Sequence, residues 1–227
     1  VWTECLLLTR GQAMGLGVVH AGVRCYAGYP MTPSSPLLSY IADIQNETGM
    51  AIKQAEDEIT AVQMASGAMH MGTRALTGTS GGGFDLMTET LSLNAMIENP
   101  SVIVLAQRPG PATGLPTWTG QGDLNLAVFS GHGEFTRCVV STSDAEDSFH
   151  LVNDAFNLAE EYQIPVILMT DKQLAEAICT QVPYDQKKTK INRGRLVTTV
   201  KELSALTSSD RYDPLAKEGI SARWLPG

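Results

Sequence analysis

The sequence predicts an α/β fold in which a mostly parallel sheet carries helices on both faces. Short apolar runs of strand length alternate with longer helix-like segments, and the apolar runs have the pattern of strands buried on both faces. Turn-forming loops rich in glycine, proline or hydroxyl groups follow several of these runs. The predicted strands are residues 23–29, 51–54, 75–78, 102–106, 138–140 and 166–170. The predicted helices are residues 12–21, 36–44, 58–71, 84–96 and 144–162.

Length and composition favour one globular domain with an appendage. The chain has 227 residues, of which 43% are hydrophobic and 18% charged, as in ordinary globular proteins. We predict that residues 1–183 form the domain. Residues 184–227 contain a charged stretch and a polar segment with little periodicity, and we predict a linker arm toward a following domain.

Charge and cysteine usage exclude several classes of function. A net charge of −8 argues against binding to nucleic acid or to an anionic membrane, and no apolar run has membrane-spanning length. The N-terminus has no pattern of a secretion signal. The scattered cysteines Cys5, Cys25, Cys138 and Cys179 form no C-x-x-C pair, so we expect reduced thiols in a cytoplasmic protein, with no iron–sulfur cluster in this chain. The four histidines have no metal-ligand spacing, and we predict no metal site.

The segment Tyr-Pro-Met-Thr-Pro-Ser-Ser at 29–35 is the most informative of the chain. It follows a predicted strand, and its two prolines fix the backbone. Thr32 and the serines place hydroxyl groups where ligands bind in open α/β sheets, at the carboxyl end of a strand. A glycine-rich turn, Thr-Ser-Gly-Gly-Gly at 79–83, ends another strand. It favours either close approach of a ligand to the backbone or simply a tight turn.

Charged residues at two further strand ends are candidates for chemistry. Arg108 ends a predicted strand and suits either a carboxylate substrate or the capping of surface carbonyl groups. It leads into residues 112–123, a long stretch without helix or strand signals that we interpret as an ordered functional loop. Glu56, Asp57 and Glu58 lie at a strand-to-helix junction, where acids are common. Small apolar residues follow Glu58 and favour its burial.

Six pieces of this sequence occur in the order of a known family. From residue 11 to about residue 182 the chain resembles the α subunit, or α region, of 2-oxoacid:ferredoxin oxidoreductases, where this region is the pyrimidine-binding domain of a thiamine-diphosphate enzyme. Where the family usually has Gly-Pro-Gly, this chain has three glycines, and Trp118 stands where a basic residue is common. The matching pieces are residues 28–35, 56–59, 79–84, 107–111, 113–117 and 121–124.

The resemblance implies roles for individual residues. A buried glutamate hydrogen-bonds N1′ of the aminopyrimidine and promotes loss of the thiazolium C2 proton, and this residue matches Glu58, with Glu56 as the alternative. Thr32 matches the residue that binds the substrate oxo or carboxylate group, and Arg108 matches the substrate-carboxylate arginine. The implied cofactor contacts are Pro30, Glu58, Ser80, Gly81 and Gly82.

The resemblance also implies partners. The chain lacks a diphosphate motif, so the β subunit is expected to supply the diphosphate site and Mg²⁺, together with a [4Fe–4S] cluster. A γ subunit or fused γ domain, ferredoxin and coenzyme A complete the expected system. The implied reaction is oxidative decarboxylation of a 2-oxoacid to its acyl-CoA, with 2-oxoglutarate favoured over pyruvate. The alternatives are an indolepyruvate or branched-chain oxoacid enzyme and a non-catalytic scaffold; no fingerprint of a nucleotide-binding Rossmann protein is present.

Overall fold

The computed structural model describes residues 4–226. The strands are β1 (Leu6–Thr9), β2 (Cys25–Gly28), β3 (Ala51–Gln54), β4 (Ala75–Thr79), β5 (Ser101–Gln107), β6 (Cys138–Ser141), β7 (Pro165–Asp171), β8 (Ile178–Gln181), β9 (Leu196–Val197) and β10 (Arg223–Trp224). The helices are α1 (Arg10–His20), α2 (Ser35–Asp43), α3 (Gln45–Thr48), α4 (Glu58–His70), α5 (Gly81–Met96), α6 (Leu124–Phe129), α7 (Ala145–Tyr162), α8 (Lys172–Glu176), α9 (Val200–Ser204) and a 3₁₀ turn (Lys217–Gly219).

A parallel six-stranded sheet in the order β3-β2-β4-β5-β7-β6 forms the centre of the described chain. These are the six strands that the sequence predicts, so the predicted fold class is confirmed. Of the four inner strands, β4, β5 and β7 are buried along their whole length and β2 is buried after its first residue, whereas the edge strands β3 and β6 are partly exposed. Burial on both faces explains why the inner strands are apolar without alternation.

Helices cover both faces of this sheet and divide the core in two. Val166 and Leu168 of β7 pack with α1, α2 and α7, while Ile167 and Met169 pack with α5 and α6 on the other face. Successive side chains of a strand point to opposite faces, so one apolar run supplies both cores. Helix α4 contributes to both.

Some local predictions differ from the structure. Helix α5 begins at Gly81 rather than at residue 84, so its glycines lie inside the first turn. Helix α7 begins at Ala145 rather than at residue 144, because Asp144 is its capping residue and its carboxylate accepts the backbone N–H of Asp147. The antiparallel pair β1–β8 and the short helices were not predicted, because runs of four to six residues give little periodicity.

The segment after residue 183 packs back onto the domain. Tyr184 stacks on Phe149 of α7 with ring centroids 4.1 Å apart. Further along, the side chain of Gln163 donates to the carbonyl oxygen of Ser221 across 2.6 Å. The predicted boundary at residue 183, and the role of residues 184–227 as an arm toward a following domain, stay predictions.

A buried carboxylate anchors this segment. Glu160 is 1% exposed and receives Arg74 Nε at 2.8 Å, Arg193 Nε at 2.8 Å and Arg223 Nη2 at 3.2 Å. The same three guanidinium groups also donate to backbone carbonyl oxygens. Burial lowers the pKa of Arg223 to about 10, although the charge of Glu160 opposes this shift. Hence the single charge of Glu160 pairs with three guanidinium groups, two of which belong to the C-terminal segment.

None of the helices between residues 4 and 226 combines the length and the apolar character that a membrane crossing requires. The cytoplasmic location stays a prediction.

Substitution Glu160→Gln should destabilise the chain strongly, because it leaves buried guanidinium groups without their counter-charge. We expect a loss of about 3–5 kcal/mol in the free energy of unfolding, measured by urea denaturation. Its neighbour Glu161 is exposed, and Glu161→Gln should change stability by no more than about 0.5 kcal/mol. Equal stabilities of the two variants would contradict an anchoring role for Glu160.

Candidate functional site

The ends of β2, β4 and β5 bring the predicted site loops together. Arg108, directly after β5, donates from Nη1 to the carbonyl oxygen of Thr32 across 2.7 Å. Thr79, the last residue of β4, donates to the sulfur of Met31 at 3.7 Å. Because the strands are parallel, all these loops emerge at one edge of the sheet. The predicted substrate residues Thr32 and Arg108 are therefore neighbours.

Glu58 lies at the start of α4 with its carboxyl group buried. Asp57 caps this helix by accepting the backbone N–H of Thr60 at 2.7 Å, and Glu58 is the first residue of the helix. The Glu58 residue is 3% exposed, and its Oε1 atom has no hydrogen-bond partner among residues 4–226. Since an unsatisfied buried acceptor costs about 1–3 kcal/mol, this atom fits a donor group of a ligand. The alternative residue Glu56 is exposed.

Glu58 also lies against the first turn of α5. A Cβ atom built on Gly83 would lie 2.7 Å from Glu58 Oε1 and 2.0 Å from Thr79 Oγ1. The glycine run is therefore part of the same cluster as the predicted catalytic glutamate. Ser80 precedes α5, is fully buried, and its hydroxyl has no partner among the described residues. Pro30, in contrast, is exposed at the end of β2.

Asp123 is a member of this cluster that sequence reasoning missed. Its carboxylate oxygens would lie 2.9 and 3.0 Å from a Cβ atom on Gly81, and Oδ2 is buried without a partner among residues 4–226. Its backbone N–H donates to the side chain of Gln107 at 3.1 Å. Burial raises the pKa of Asp123, the charge of Asp85 raises it further, and Arg108 opposes both. The motif at 121–124 is a signal for this residue, but the pattern does not show that its loop returns to α5.

The loop between β5 and α6 has no helix or strand, as predicted. The conformation of the loop is stabilised by backbone hydrogen bonds, including one in which the N–H of Leu115 donates to the carbonyl oxygen of Pro109 across 3.0 Å. Trp118 is 66% exposed at its tip. Arg108 at its base is only 8% exposed and forms no ion pair with a carboxylate among residues 4–226. A buried cation in this situation fits an anionic ligand.

Fold and cluster together define an α/β domain with a candidate ligand site at the carboxyl edge of its parallel sheet. Residues 16–211 match the family described as "Pyruvate flavodoxin/ferredoxin oxidoreductase, thiamine diP-bdg". The chain belongs to this thiamine-diphosphate-binding family.

Individual relatives agree with this assignment. The α subunit of 2-oxoacid:ferredoxin oxidoreductase 1 of Sulfurisphaera tokodaii is 43% identical, over 97% of this chain and 36% of that protein. The 2-oxoglutarate synthase subunit KorA of Methanothermobacter thermautotrophicus is 41% identical, over 75% of this chain and 45% of that protein. A solved 2-oxoglutarate:ferredoxin oxidoreductase of Magnetococcus marinus superposes with a TM-score of 0.91 at 34% identity, covering 99% of this chain and 38% of that one. The chain thus spans less than half the length of these relatives.

The pKa of Asp123 provides a test of the site electrostatics. In a carbon-13 NMR titration, its carboxyl group should titrate above the ordinary aspartate value, and Asp85→Asn should lower that pKa by removing a nearby negative charge. The folded chain holds this proton more tightly than the unfolded chain. The stability that Asp123 contributes is therefore present below the unfolded-state pKa and lost as the pH rises through the folded-state pKa. An unchanged Asp123 titration in Asp85→Asn would contradict the predicted coupling.

Proposed function

We propose that this chain supplies the aminopyrimidine half of the thiamine-diphosphate site of a 2-oxoacid:ferredoxin oxidoreductase. The observation that carries the proposal is the buried Glu58 carboxyl group, which has an oxygen without a partner among the described residues. Such a group fits a protonated ring nitrogen in an apolar pocket, because the ligand would provide the missing hydrogen bond. Membership of the family supports the same assignment.

The residues of the cluster fit this cofactor and its substrate. When bound, thiamine diphosphate supplies a carbon nucleophile for the oxo group of a 2-oxoacid and an electron sink for decarboxylation. Glu58 would hold the proton at the pyrimidine N1′ position, while Pro30, Ser80, Gly81 and Gly82 would form the wall beside it. Arg108 would hold the substrate carboxylate, and Thr32 would donate to the same group or to the oxo oxygen.

We infer that 2-oxoglutarate is the substrate, with pyruvate as the alternative. Support comes from the names of KorA and of the Magnetococcus marinus enzyme, whose solved structure has 2-oxoglutarate, coenzyme A and succinyl-CoA bound. The product would be the acyl-CoA, with electrons passed to ferredoxin. An indolepyruvate or branched-chain oxoacid enzyme is the second candidate within the family. A non-catalytic scaffold is disfavoured, because it would have no use for an unpartnered buried Glu58.

We further propose that a β subunit completes the site with the diphosphate contacts, Mg²⁺ and a [4Fe–4S] cluster. A γ subunit or fused γ domain completes the proposed assembly. We propose that the assembly is cytoplasmic. Exposed apolar side chains near the cluster, namely Ile59 on α4, Leu86 on α5 and Leu124 on α6, support docking of another chain at this edge. Assembly would exclude water around Glu58 and Arg108.

Replacement of Glu58 tests the proposed function directly. Glu58→Gln keeps the size of the side chain but removes its charge, so turnover in the assembled enzyme should fall about 10²–10⁴-fold, the scale of lost acid–base catalysis. Glu56→Gln is the matched control and should have a much smaller effect, because Glu56 is exposed. The assay is oxoacid-dependent reduction of a low-potential dye. If Glu58→Gln is active and Glu56→Gln is not, the wrong glutamate has been assigned; activity of both would refute the catalytic assignment.

Replacement of Arg108 tests the substrate contact. Arg108→Gln removes the cation that we assign to the substrate carboxylate, and a charge-assisted hydrogen bond is worth about 1.5–3 kcal/mol. We therefore expect KM for the oxoacid to rise about 10–100-fold, with a smaller change in the affinity for thiamine diphosphate. An unchanged KM in the same dye-reduction assay would exclude Arg108 from substrate binding.

A further inference from the structure

The three glycines that open α5 are in different environments. Alanine is the better helix former, so a run of glycines inside a helix indicates that the local structure requires the absence of side chains. At Gly82 the nearest atom to an added Cβ is the carbonyl oxygen of Ala112, at 3.4 Å, which is an ordinary contact. At Gly83 an added Cβ would lie 2.0 Å from Thr79 Oγ1 and 2.7 and 2.8 Å from Oε1 and Cγ of Glu58. Only a hydrogen atom fits there.

We propose that Gly83 is a positioning residue for Glu58, because the missing side chain leaves the space that the glutamate carboxyl group occupies. This inference rests on the proposed function and adds a residue that acts through Glu58 rather than on the ligand. The carboxyl group ends a flexible side chain, whereas Phe84, the next residue of α5, is fully buried and holds the helix on the sheet. A methyl group at position 83 would therefore displace Glu58, Thr79 or both before it moved α5.

The test compares Gly83→Ala with Gly67→Ala in the enzyme assembled with its partner subunits. Gly67 lies in α4, where an added Cβ meets nothing within 4 Å, so the same chemical change is made without a clash. The readouts are exchange of the thiazolium C2 proton of added thiamine diphosphate with deuterium, followed by NMR, and thermal unfolding of the variants. We expect exchange to slow about 10²-fold in Gly83→Ala and to stay at the wild-type rate in Gly67→Ala.

A double variant separates positioning from general damage to the fold. Thr79→Ala removes the atom nearest to the added methyl group, while the contacts with Glu58 remain. Gly83→Ala should lower the temperature of thermal unfolding, and the double variant Thr79→Ala/Gly83→Ala should recover most of that loss. Its C2 proton exchange should nevertheless stay slow compared with that of Thr79→Ala alone. Recovery of exchange together with stability would overturn the inference, since Gly83 would then act through packing at Thr79. Wild-type exchange in Gly83→Ala would overturn it as well.

Glu58→Gln distinguishes this failure from failure of the proposed function. Slow exchange in Glu58→Gln with wild-type exchange in Gly83→Ala refutes only the positioning role. Wild-type exchange in Glu58→Gln refutes the role of Glu58, and the positioning inference with it. Slow C2 proton exchange in both Glu58→Gln and Gly83→Ala supports the role of Glu58 and the positioning role of Gly83. This holds if Gly67→Ala exchanges at the wild-type rate and Thr79→Ala does not restore the exchange rate of Gly83→Ala.

Discussion

Parallel pairing of the six central strands is the constraint on which the site depends. In a parallel sheet every strand ends at the same edge, so loops far apart in sequence are delivered to one place. Here the ends of β2, β4 and β5 and the start of α4 meet, which brings Thr32, Arg108, Thr79 and Glu58 together. No single loop supplies the whole candidate site, and each contributes one or two groups.

Two buried glutamates show how the same side chain serves opposite purposes. Glu160 accepts hydrogen bonds from three arginines, and its charge is compensated within the chain. Glu58 is nearly as buried, yet one of its oxygens has no partner among residues 4–226. A satisfied buried charge contributes to a defined fold, whereas a buried acceptor without a partner raises the free energy of the folded chain. Binding of a suitable donor would recover that free energy, which favours a ligand at Glu58 rather than at Glu160.

The sequence predicted the sheet well because a buried strand can be identified from a short run of consecutive apolar residues. Thr32, Glu58 and Arg108, which the sequence singled out at strand ends and a helix start, lie in segments that meet at one edge of the sheet, while their roles stay predictions. Prediction failed where the information is long-range. Asp123 meets Gly81 through the return of a loop, and Arg223 meets Glu160 across 63 residues. The predicted start of α5 was too late because glycine has low helix propensity. In the structure the glycines lie in the helix, and Gly83 leaves room for the side chains of Glu58 and Thr79.

The arginine cluster around Glu160 lies at the opposite edge of the sheet from the candidate site. Arg74 directly precedes β4, and Thr79 ends the same strand, so one buried strand runs between the two. Inherited changes in the two regions would therefore have different phenotypes. A change at Arg193 or Arg223 would lower the cellular abundance of the protein, because unfolded chains are degraded, and leave each surviving molecule fully competent. With the role proposed for Glu58, its replacement by Gln would leave abundance near normal and lower the activity of each molecule instead.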